Sequence, residues 1–324
     1  MTDPQPTPPG TGPTSLAELR TRLTGEIGKV VVGQTHLIDA MLAAMAVGGH
    51  LLLEGAPGVA KTLLASAMGR AIGLDFRRVQ FTPDLLPSDV TGTLTLRGAE
   101  LAFRPGPVFT HLLLADEINR TPPKTQAALL EAMQEGQVTV DGVAHPLPQP
   151  FLVIATENPI EQEGTYPLPE AQLDRFLMKL DVGYPSGPDE ERMLRLRHSG
   201  VSPATLDDVR PVAGAADLLA IRDQVDAVTV SDAVITYVAA LVRKTRELPA
   251  VALGASPRAA VHLLAAGKAS ASLSGRSYVV PDDIVNLAVP VLRHRLILTP
   301  EAELDRFRPE DALKTALAGV PVPR

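Results

Sequence analysis

Short apolar runs alternate with helix-like segments through the first half of the chain. The runs contain few polar residues, as Leu112-Leu113-Leu114-Ala115 illustrates, which is typical of strands buried on both faces of a sheet. We therefore predict an α/β fold with a mostly parallel five-stranded sheet covered by helices. The predicted strands are His50–Glu54, Phe76–Phe81, Leu112–Asp116, Phe151–Thr156 and Phe176–Val182, and the predicted helices include Lys61–Ile72 and Pro123–Glu135.

Two segments interrupt this alternation with the pattern of β-hairpins. Thr91–Phe103 alternates threonine with leucine before a glycine turn. Gln137–Pro146 carries Asp141-Gly142 at its centre, which is a strong signal for a two-residue hairpin turn. Since neither hairpin is needed to complete the sheet, each could be an edge decoration or a surface that grips a partner.

After Tyr184 the apolar positions recur with helical periodicity alone, following the linker Pro185–Pro188. Ser15, Ser231 and Ser256 are expected to cap the N-termini of helices. The predicted helices of this half are Asp189–His198, Ala215–Val225, Ser231–Arg246, Pro257–Ser272 and Pro281–Arg293. We therefore predict a disordered tail over 1–14, an α/β core over 15–184 and an all-helical second domain over 185–324.

Composition narrows the class of protein. A chain of 324 residues favours two domains, and it has no apolar run of about 18 residues that could span a bilayer. The proline-rich N-terminus lacks the apolar segment of a signal peptide, and cysteine is absent, so we expect a cytoplasmic protein. The net charge of −7 argues against general binding of nucleic acid. With only seven scattered histidines, any metal should be a hard cation held by oxygen atoms.

The run Gly55-Ala56-Pro57-Gly58-Val59-Ala60-Lys61-Thr62 lies between a predicted strand and a predicted helix. Its backbone N–H groups can cradle phosphate oxygens, Lys61 can reach the β- and γ-phosphates, and the Thr62 hydroxyl can ligate Mg²⁺. The strict phosphate-loop pattern has glycine before the lysine, where this chain has Ala60. The sequence therefore predicts a site for a nucleoside triphosphate with one residue off pattern.

Polar side chains follow two more of the predicted strands. Asp116 and Glu117 end the strand that starts at Leu112, at the sheet edge where ligands usually bind. Asp116 can hold Mg²⁺, directly or through water, and Glu117 can deprotonate the attacking water. Asn158 follows another strand and could bond the γ-phosphate or the water, or simply form a turn with Pro159.

Two arginines are candidates for stabilising the charge on the γ-phosphate. Arg175 adjoins Asp174, and the pair could be a surface ion pair or could supply a cation to a neighbouring subunit. Arg258 starts a predicted helix of the second domain, where the helix dipole disfavours a cation without a partner. We expect Arg258 to reach back to nucleotide lying in the cleft between the domains.

In these motifs and their order the chain resembles the AAA+ ATPases, and within them the MoxR family. The resemblance runs from about Lys29 to the C-terminal helices, and Ala60 is tolerated within the family. The stretches that carry it are Val79–Asp89, Phe103–Pro107, Leu114–Gln137 and Asn158–Phe176.

The resemblance implies a role for each candidate residue. Gly33, Gln34 and the run Gly55–Leu63, which includes Leu63 after Thr62, are expected to bind the nucleotide. The implied roles are Walker A for Lys61 and Thr62, Walker B for Asp116 and Glu117, sensor 1 for Asn158, an arginine finger acting in trans for Arg175, and sensor 2 for Arg258. The hairpins match the helix-2 insert and the pre-sensor-1 hairpin, which face the ring pore or a partner in related ATPases.

The resemblance further implies a homo-hexameric ring that hydrolyses ATP with Mg²⁺ and acts as a chaperone-like remodeller. A partner with a von Willebrand factor A domain and a client that matures by insertion of a cofactor or metal are also implied. Three alternatives stay open: a magnesium-chelatase-like motor subunit, a nucleotide-gated scaffold without turnover, and a nucleic-acid translocase. For the translocase the candidate contacts are Arg192, Arg195, Arg197, Arg243 and Lys244.

Overall fold

A five-stranded parallel sheet forms the centre of the first half of the molecule. The structure is a computed structural model that describes residues 14–55, 60–97, 100–158, 165–198 and 205–323. The strands are β1 (Leu51–Glu54), β2 (Phe76–Gln80), β3 (Gly92–Arg97), β4 (Glu100–Pro105), β5 (Leu112–Asp116), β6 (Gln137–Val140), β7 (Val143–Pro146), β8 (Leu152–Glu157), β9 (Met178–Asp181), β10 (Val251–Leu253) and β11 (Ile297–Leu298). The sheet has the order β2-β5-β8-β1-β9, which confirms the predicted α/β fold.

Helices cover both faces of this sheet and make up most of the second half. They are α1 (Leu16–Ile27), α2 (Thr35–Val47), α3 (Lys61–Ile72), α4 (Pro87–Thr91), α5 (Pro123–Glu135), α6 (Glu170–Leu173), α7 (Gly187–His198), α8 (Ala215–Asp226), α9 (Asp232–Thr245), α10 (Pro257–Leu273), α11 (Pro281–Leu292), α12 (Pro300–Leu304) and α13 (Pro309–Ala318). Within the described ranges, none of them combines the length and the apolar character needed to cross a membrane.

Successive apolar residues of each central strand enter two different hydrophobic clusters. Leu112 and Leu114 of β5 pack into one cluster with α1, α2 and α3, whereas Leu113 and Ala115 pack into the other with α5. Because side chains alternate across a strand, an uninterrupted apolar run is what a sheet buried on both faces requires. The larger cluster also includes buried residues of α8 to α11 and α13. It is therefore continuous from the core into the helical half, and the boundary after residue 184 stays a prediction.

The helical half agrees with the prediction in element type and closely in bounds. The hydroxyls of Ser15, Ser231 and Ser256 cap α1, α9 and α10 by accepting hydrogen bonds from backbone N–H groups three residues ahead, as predicted. A short antiparallel ladder between β10 and β11 corrects the prediction that this half is all-helical.

Both predicted hairpins are present on the face of the sheet that α5 covers. β3 pairs with β4, and β6 pairs with β7 through a turn in which Asp141 and Gly142 both have positive φ. Phe103 of the first hairpin stacks on His145 of the second, with ring centroids 3.9 Å apart. The two hairpins are thus in direct contact.

His50, immediately before β1, makes the fold sensitive to acid. Its Nδ1 accepts a hydrogen bond from the backbone N–H of Val153, so the ring is neutral, and burial lowers its pKa to about 4. The unfolded chain binds this proton near pH 6.5, so stability present above that pH is lost as the pH falls towards 4. The span from 6.5 to about 4 corresponds to about 3 kcal/mol of unfolding free energy.

We expect His50→Asn to unfold at a lower denaturant concentration at pH 7, because part of the buried contact is lost, but to lose less stability between pH 7 and pH 5 than the parent. Denaturant titrations at both pH values measure this, with exposed His36→Asn as the control. Equal losses of stability in the parent and in His50→Asn would contradict the assignment.

Candidate active site

The carboxyl ends of β1, β5 and β8 bring the predicted phosphate-loop residues and acids to one edge of the sheet. Lys61 begins α3 after the loop that leaves β1, and its ammonium group donates a hydrogen bond to the Gly55 carbonyl at 2.8 Å. Burial lowers the pKa of Lys61, and the carboxylates of Asp116 and Glu117 oppose that change. The three charged groups therefore lie within electrostatic reach of one another.

The described part of the phosphate loop has two residues with special backbone requirements. A Cβ atom on Gly55 would lie 2.4 Å from the carbonyl oxygen of Val182, so only glycine fits there. Ala60 has φ of 61° and ψ of 20°, the left-handed conformation that costs a residue with a Cβ atom about 1–2 kcal/mol. This explains why glycine is the usual residue before the lysine. Thr62 and Leu63 follow in the first turn of α3, half-buried, and Ala56, Pro57, Gly58 and Val59 lie outside the described residues.

The Asp116 carboxylate is buried at the end of β5 and has two side-chain partners. Thr156 of β8 donates its hydroxyl to Oδ1 at 2.6 Å. Arg78 of β2 donates to Oδ2 from Nη2 at 2.7 Å and from Nε at 3.0 Å. The Arg78 guanidinium is thus in contact with one oxygen of the Asp116 carboxylate.

Glu117 leaves the strand in a left-handed conformation, with φ of 57°. Its backbone N–H donates to the Thr156 hydroxyl at 2.9 Å, and its carboxylate accepts from Gln80 Nε2 at 2.5 Å and from Arg120 at 3.2 Å. Asn158 is buried one residue beyond β8, at the same edge. The edge therefore gathers Lys61, Asp116, Glu117 and Asn158, as the sequence predicts.

Three further residues at this edge have no role that the sequence motifs predict: Arg78, Gln80 and Thr156. Arg78 contacts Asp116, Gln80 contacts Glu117 and Thr156 contacts both acids, because β2 and β8 flank β5. Two features of the sequence could have indicated these residues. Arg78 and Gln80 are two positions apart and so lie on the same face of β2, and Thr156 is a polar residue near the end of an otherwise apolar strand. Only the strand order shows that all three contact the acids.

Gly33 and Gln34, expected near the adenine, precede α2. Gly33 has φ of +79°, and a Cβ atom there would lie 2.7 Å from the carboxylate of Asp189 in α7. Gln34 is 6% exposed, and its side-chain oxygen has no hydrogen-bond partner within the described ranges. A buried acceptor without a donor suits a ligand that carries an amino group, as adenine does.

Arg175 and Arg258 lie together at the opposite, amino edge of the sheet. They line one cavity of about 210 Å³ with Gly48, Gly49 and His50, the residues just before β1. Arg175 donates to the Leu130 carbonyl at 2.8 Å. The four residues of β1 separate this edge from the phosphate loop by roughly 13 Å. The structure therefore places Arg258 beside Arg175 and away from Lys61, and the role of Arg258 towards a nucleotide stays a prediction.

Two of the basic residues considered for nucleic acid are paired with acids in the described part of the chain. Arg195 pairs with Glu191, which precedes it on the same helix, and Lys244 pairs with Glu247, which follows it closely in the chain. The side chain of Arg197 lies outside the described part of the chain.

Comparison with known proteins agrees with this geometry. The model of the ATPase family associated with various cellular activities (AAA) matches residues 50–178, and an AAA lid domain matches residues 243–316. The chain is 44% identical to chaperone MoxR1 of Mycobacterium tuberculosis, over 98% of this chain and 86% of the relative. It is 33% identical to protein MoxR of Paracoccus denitrificans, over 91% of this chain and 93% of the relative.

The solved structures include a close match to the whole fold. A crystal structure of an inferred ATPase from Cytophaga hutchinsonii is 42% identical and superposes with a TM-score of 0.88. The match covers 95% of this chain and 96% of the other. A protein of Bacillus subtilis named YeaC, of uncharacterised function, is 48% identical over 92% of each chain. With its AAA core, its lid and these relatives, the chain belongs to the MoxR family of AAA+ ATPases.

Proposed function

We propose that the chain hydrolyses ATP at sites shared between neighbouring copies of itself in a closed ring of six. The observation that carries this proposal is the separation of the charged residues within one chain. Lys61, Asp116 and Glu117 lie at the carboxyl edge of the sheet, whereas Arg175 and Arg258 line a cavity at the amino edge. A head-to-tail contact would bring the amino edge of one copy to the carboxyl edge of the next, and such contacts form a ring when the rotation between copies closes.

The chemistry at the carboxyl edge follows from the types of residue there. Lys61 would bind the β- and γ-phosphates, and Glu117 would take a proton from the attacking water once its carboxylate leaves Gln80 and Arg120. Asn158 would bond the γ-phosphate or that water. Thr62 and, through water, Asp116 would hold Mg²⁺, which neutralises phosphate charge when bound. These donors are oxygens, as a hard cation prefers.

The arginine pair would complete the site of the neighbouring copy. Arg175 would stabilise charge on the transferred phosphoryl group, and Arg258 would act beside it rather than on its own chain's nucleotide. The Arg175 Nε is buried and has no hydrogen-bond partner among the described residues, which supports a ligand or a subunit contact at this position. The adenine would lie against Gly33 and Gln34.

The hairpins offer a way for hydrolysis to act on another protein. Leu96 and Leu101, paired across β3 and β4, are 69% and 67% exposed, so an apolar pair projects from the first hairpin. The stack of Phe103 on His145 would make the two hairpins move together. We propose that they remodel a protein client, in line with the chaperone name of a relative. We also propose that the client matures by insertion of a cofactor or metal. The same proposal includes a partner protein with a von Willebrand factor A domain.

Lys61→Ala tests whether this edge binds the nucleotide. We expect the variant to lose detectable binding of a fluorescent ATP analogue, because the main positive charge facing the phosphates is removed. Lys314→Ala, on an exposed lysine in α13, is the control and should bind normally. Tight nucleotide binding by Lys61→Ala would contradict the site.

A further inference from the structure

Three consecutive basic residues after α11 contact both ends of β9. At the carboxyl end, Arg293 binds the Asp181 carboxylate through Nη1 at 2.5 Å and Nη2 at 2.6 Å. At the amino end, His294 Nε2 lies 3.1 Å from the Phe176 carbonyl oxygen. Arg295 contacts the same end, next to Arg175. The turn 293–295 of the helical half is thus attached to the strand that joins the two edges of the sheet.

Arg295 binds the backbone on both sides of Arg175. Its Nη2 donates to the carbonyl of Phe176 at 2.6 Å and to that of Asp174 at 3.2 Å. Its Nε lies 2.8 Å from Asp174 Oδ1, and the side chain is 1% exposed. Burial lowers the pKa of Arg295 to about 10, against the opposing effect of Asp174, so the guanidinium stays charged at neutral pH.

The Asp174 carboxylate connects this arginine to the start of α10. Ser256 lies 3.3 Å from both carboxylate oxygens, and Arg258 Nη1 lies 3.8 Å from Oδ2. A cavity of about 1120 Å³ borders Asp174, Ser256 and Arg295. Among the residues that the structure describes, Asp174 therefore has no packed neighbour on the side that faces this cavity. The position of its carboxylate depends on the polar contacts with Arg295, Ser256 and Arg258.

We propose that Arg295 is a positioning residue that fixes Arg175 and Arg258 as one unit for the neighbouring copy's ATP. It binds the carbonyls on either side of Arg175, and it binds Asp174, whose carboxylate lies within ion-pair distance of Arg258. The inference rests on the proposed function, in which both arginines act in trans. It adds a group from the helical half that sets the geometry of both arginines.

Stability alone is a weak explanation for this buried arginine. Replacing a buried ion pair with apolar residues of similar size is often neutral or stabilising, because desolvation offsets the attraction. Misplacement of a catalytic group by about 1 Å can cost about 100-fold in rate. The contacts of Arg295 around Arg175 therefore matter more for the position of the Arg175 side chain than for the stability of the fold.

The test is ATP hydrolysis by mixtures of variants, each combined before nucleotide is added. We expect Arg295→Met to bind a fluorescent ATP analogue with the parent's affinity but to have a kcat lower by about 10- to 100-fold. Mixed with Glu117→Gln, it should recover activity, since some interfaces then pair an intact Glu117 with an intact arginine pair. Mixed with Arg175→Ala, it should recover none, because both variants are defective on the same face.

Arg293→Met is the matched control, because Arg293 is in the same turn and only 11% exposed but contacts the other end of β9. The inference would be overturned if Arg295→Met recovers equally with Glu117→Gln and with Arg175→Ala, or if Arg295→Met alone has a normal kcat. It would also be overturned if Arg293→Met gives the same pattern of recovery in mixtures as Arg295→Met. If Arg295→Met does not assemble, Asp174→Asn replaces it, with the same expected and contradicting results. The mixture of Arg175→Ala with Glu117→Gln separates the two proposals: if it stays inactive, the shared site itself fails.

Discussion

Arg175→Ala is expected to bind ATP normally and to hydrolyse it about 10³- to 10⁵-fold more slowly than the parent. The reason is that the cation that would stabilise charge on the transferred phosphoryl group is removed, while the groups proposed to bind ATP lie at the other edge of the sheet. Phosphate release at saturating ATP and binding of a fluorescent analogue measure the two properties separately. Loss of the hydrogen bond from the charged guanidinium to the Leu130 carbonyl should lower the unfolding free energy by about 1.5–3 kcal/mol.

Arg195→Ala provides the control, because Arg195 is an exposed arginine in an ion pair with Glu191 and should be dispensable. Turnover by Arg175→Ala at close to the parent rate would remove Arg175 from the catalytic role. A loss of ATP affinity equal to the loss of rate would indicate instead that Arg175 contacts nucleotide in its own chain.

Glu117→Gln should keep ATP binding and assembly but lower turnover by about 10²- to 10⁴-fold. Glutamine has the size of glutamate but cannot accept the proton of the attacking water. Phosphate release measures the loss, and size-exclusion chromatography with ATP measures assembly. Glu157→Gln is the matched control, since Glu157 ends the neighbouring strand β8 but faces Lys179.

A Glu117→Gln variant that turns over at the parent rate would require another base. If Glu157→Gln loses as much activity as Glu117→Gln, the loss comes from removing a negative charge at this edge of the sheet and not from removing the base. The same Glu117→Gln protein, held with ATP, should retain a client protein during purification. Recovery of nucleic acid instead would contradict remodelling of proteins and favour a translocase.

Most of the strands and helices could be predicted because each is determined by residues within its own segment. The sheet buries both faces of β5 and β8, so their apolar runs were visible in the sequence, and the serine caps fixed the starts of α1, α9 and α10. α2 was missed for the opposite reason. It is buried around most of its circumference, so it lacks the polar stripe by which an amphipathic helix is identified.

The site could be predicted only where one segment carries all the needed groups. Lys61, Asp116 and Glu117 follow from short motifs at strand ends. Arg78 and Thr156 act on Asp116 from neighbouring strands, and strand order is not encoded in either segment. The position of Arg258 beside Arg175 could not be predicted, because it depends on where the helical half packs on the core.

The central claim is that one chain supplies half of each ATPase site, and a single mixing experiment tests it most directly. Arg175→Ala and Glu117→Gln are each expected to be inactive, one for lack of the donated arginine and the other for lack of the base. In an equimolar mixture of randomly assembled rings, about a quarter of the interfaces join an intact Glu117 to an intact Arg175. We predict phosphate release at about that fraction of the parent rate, and a mixture as inactive as its components would contradict the shared site.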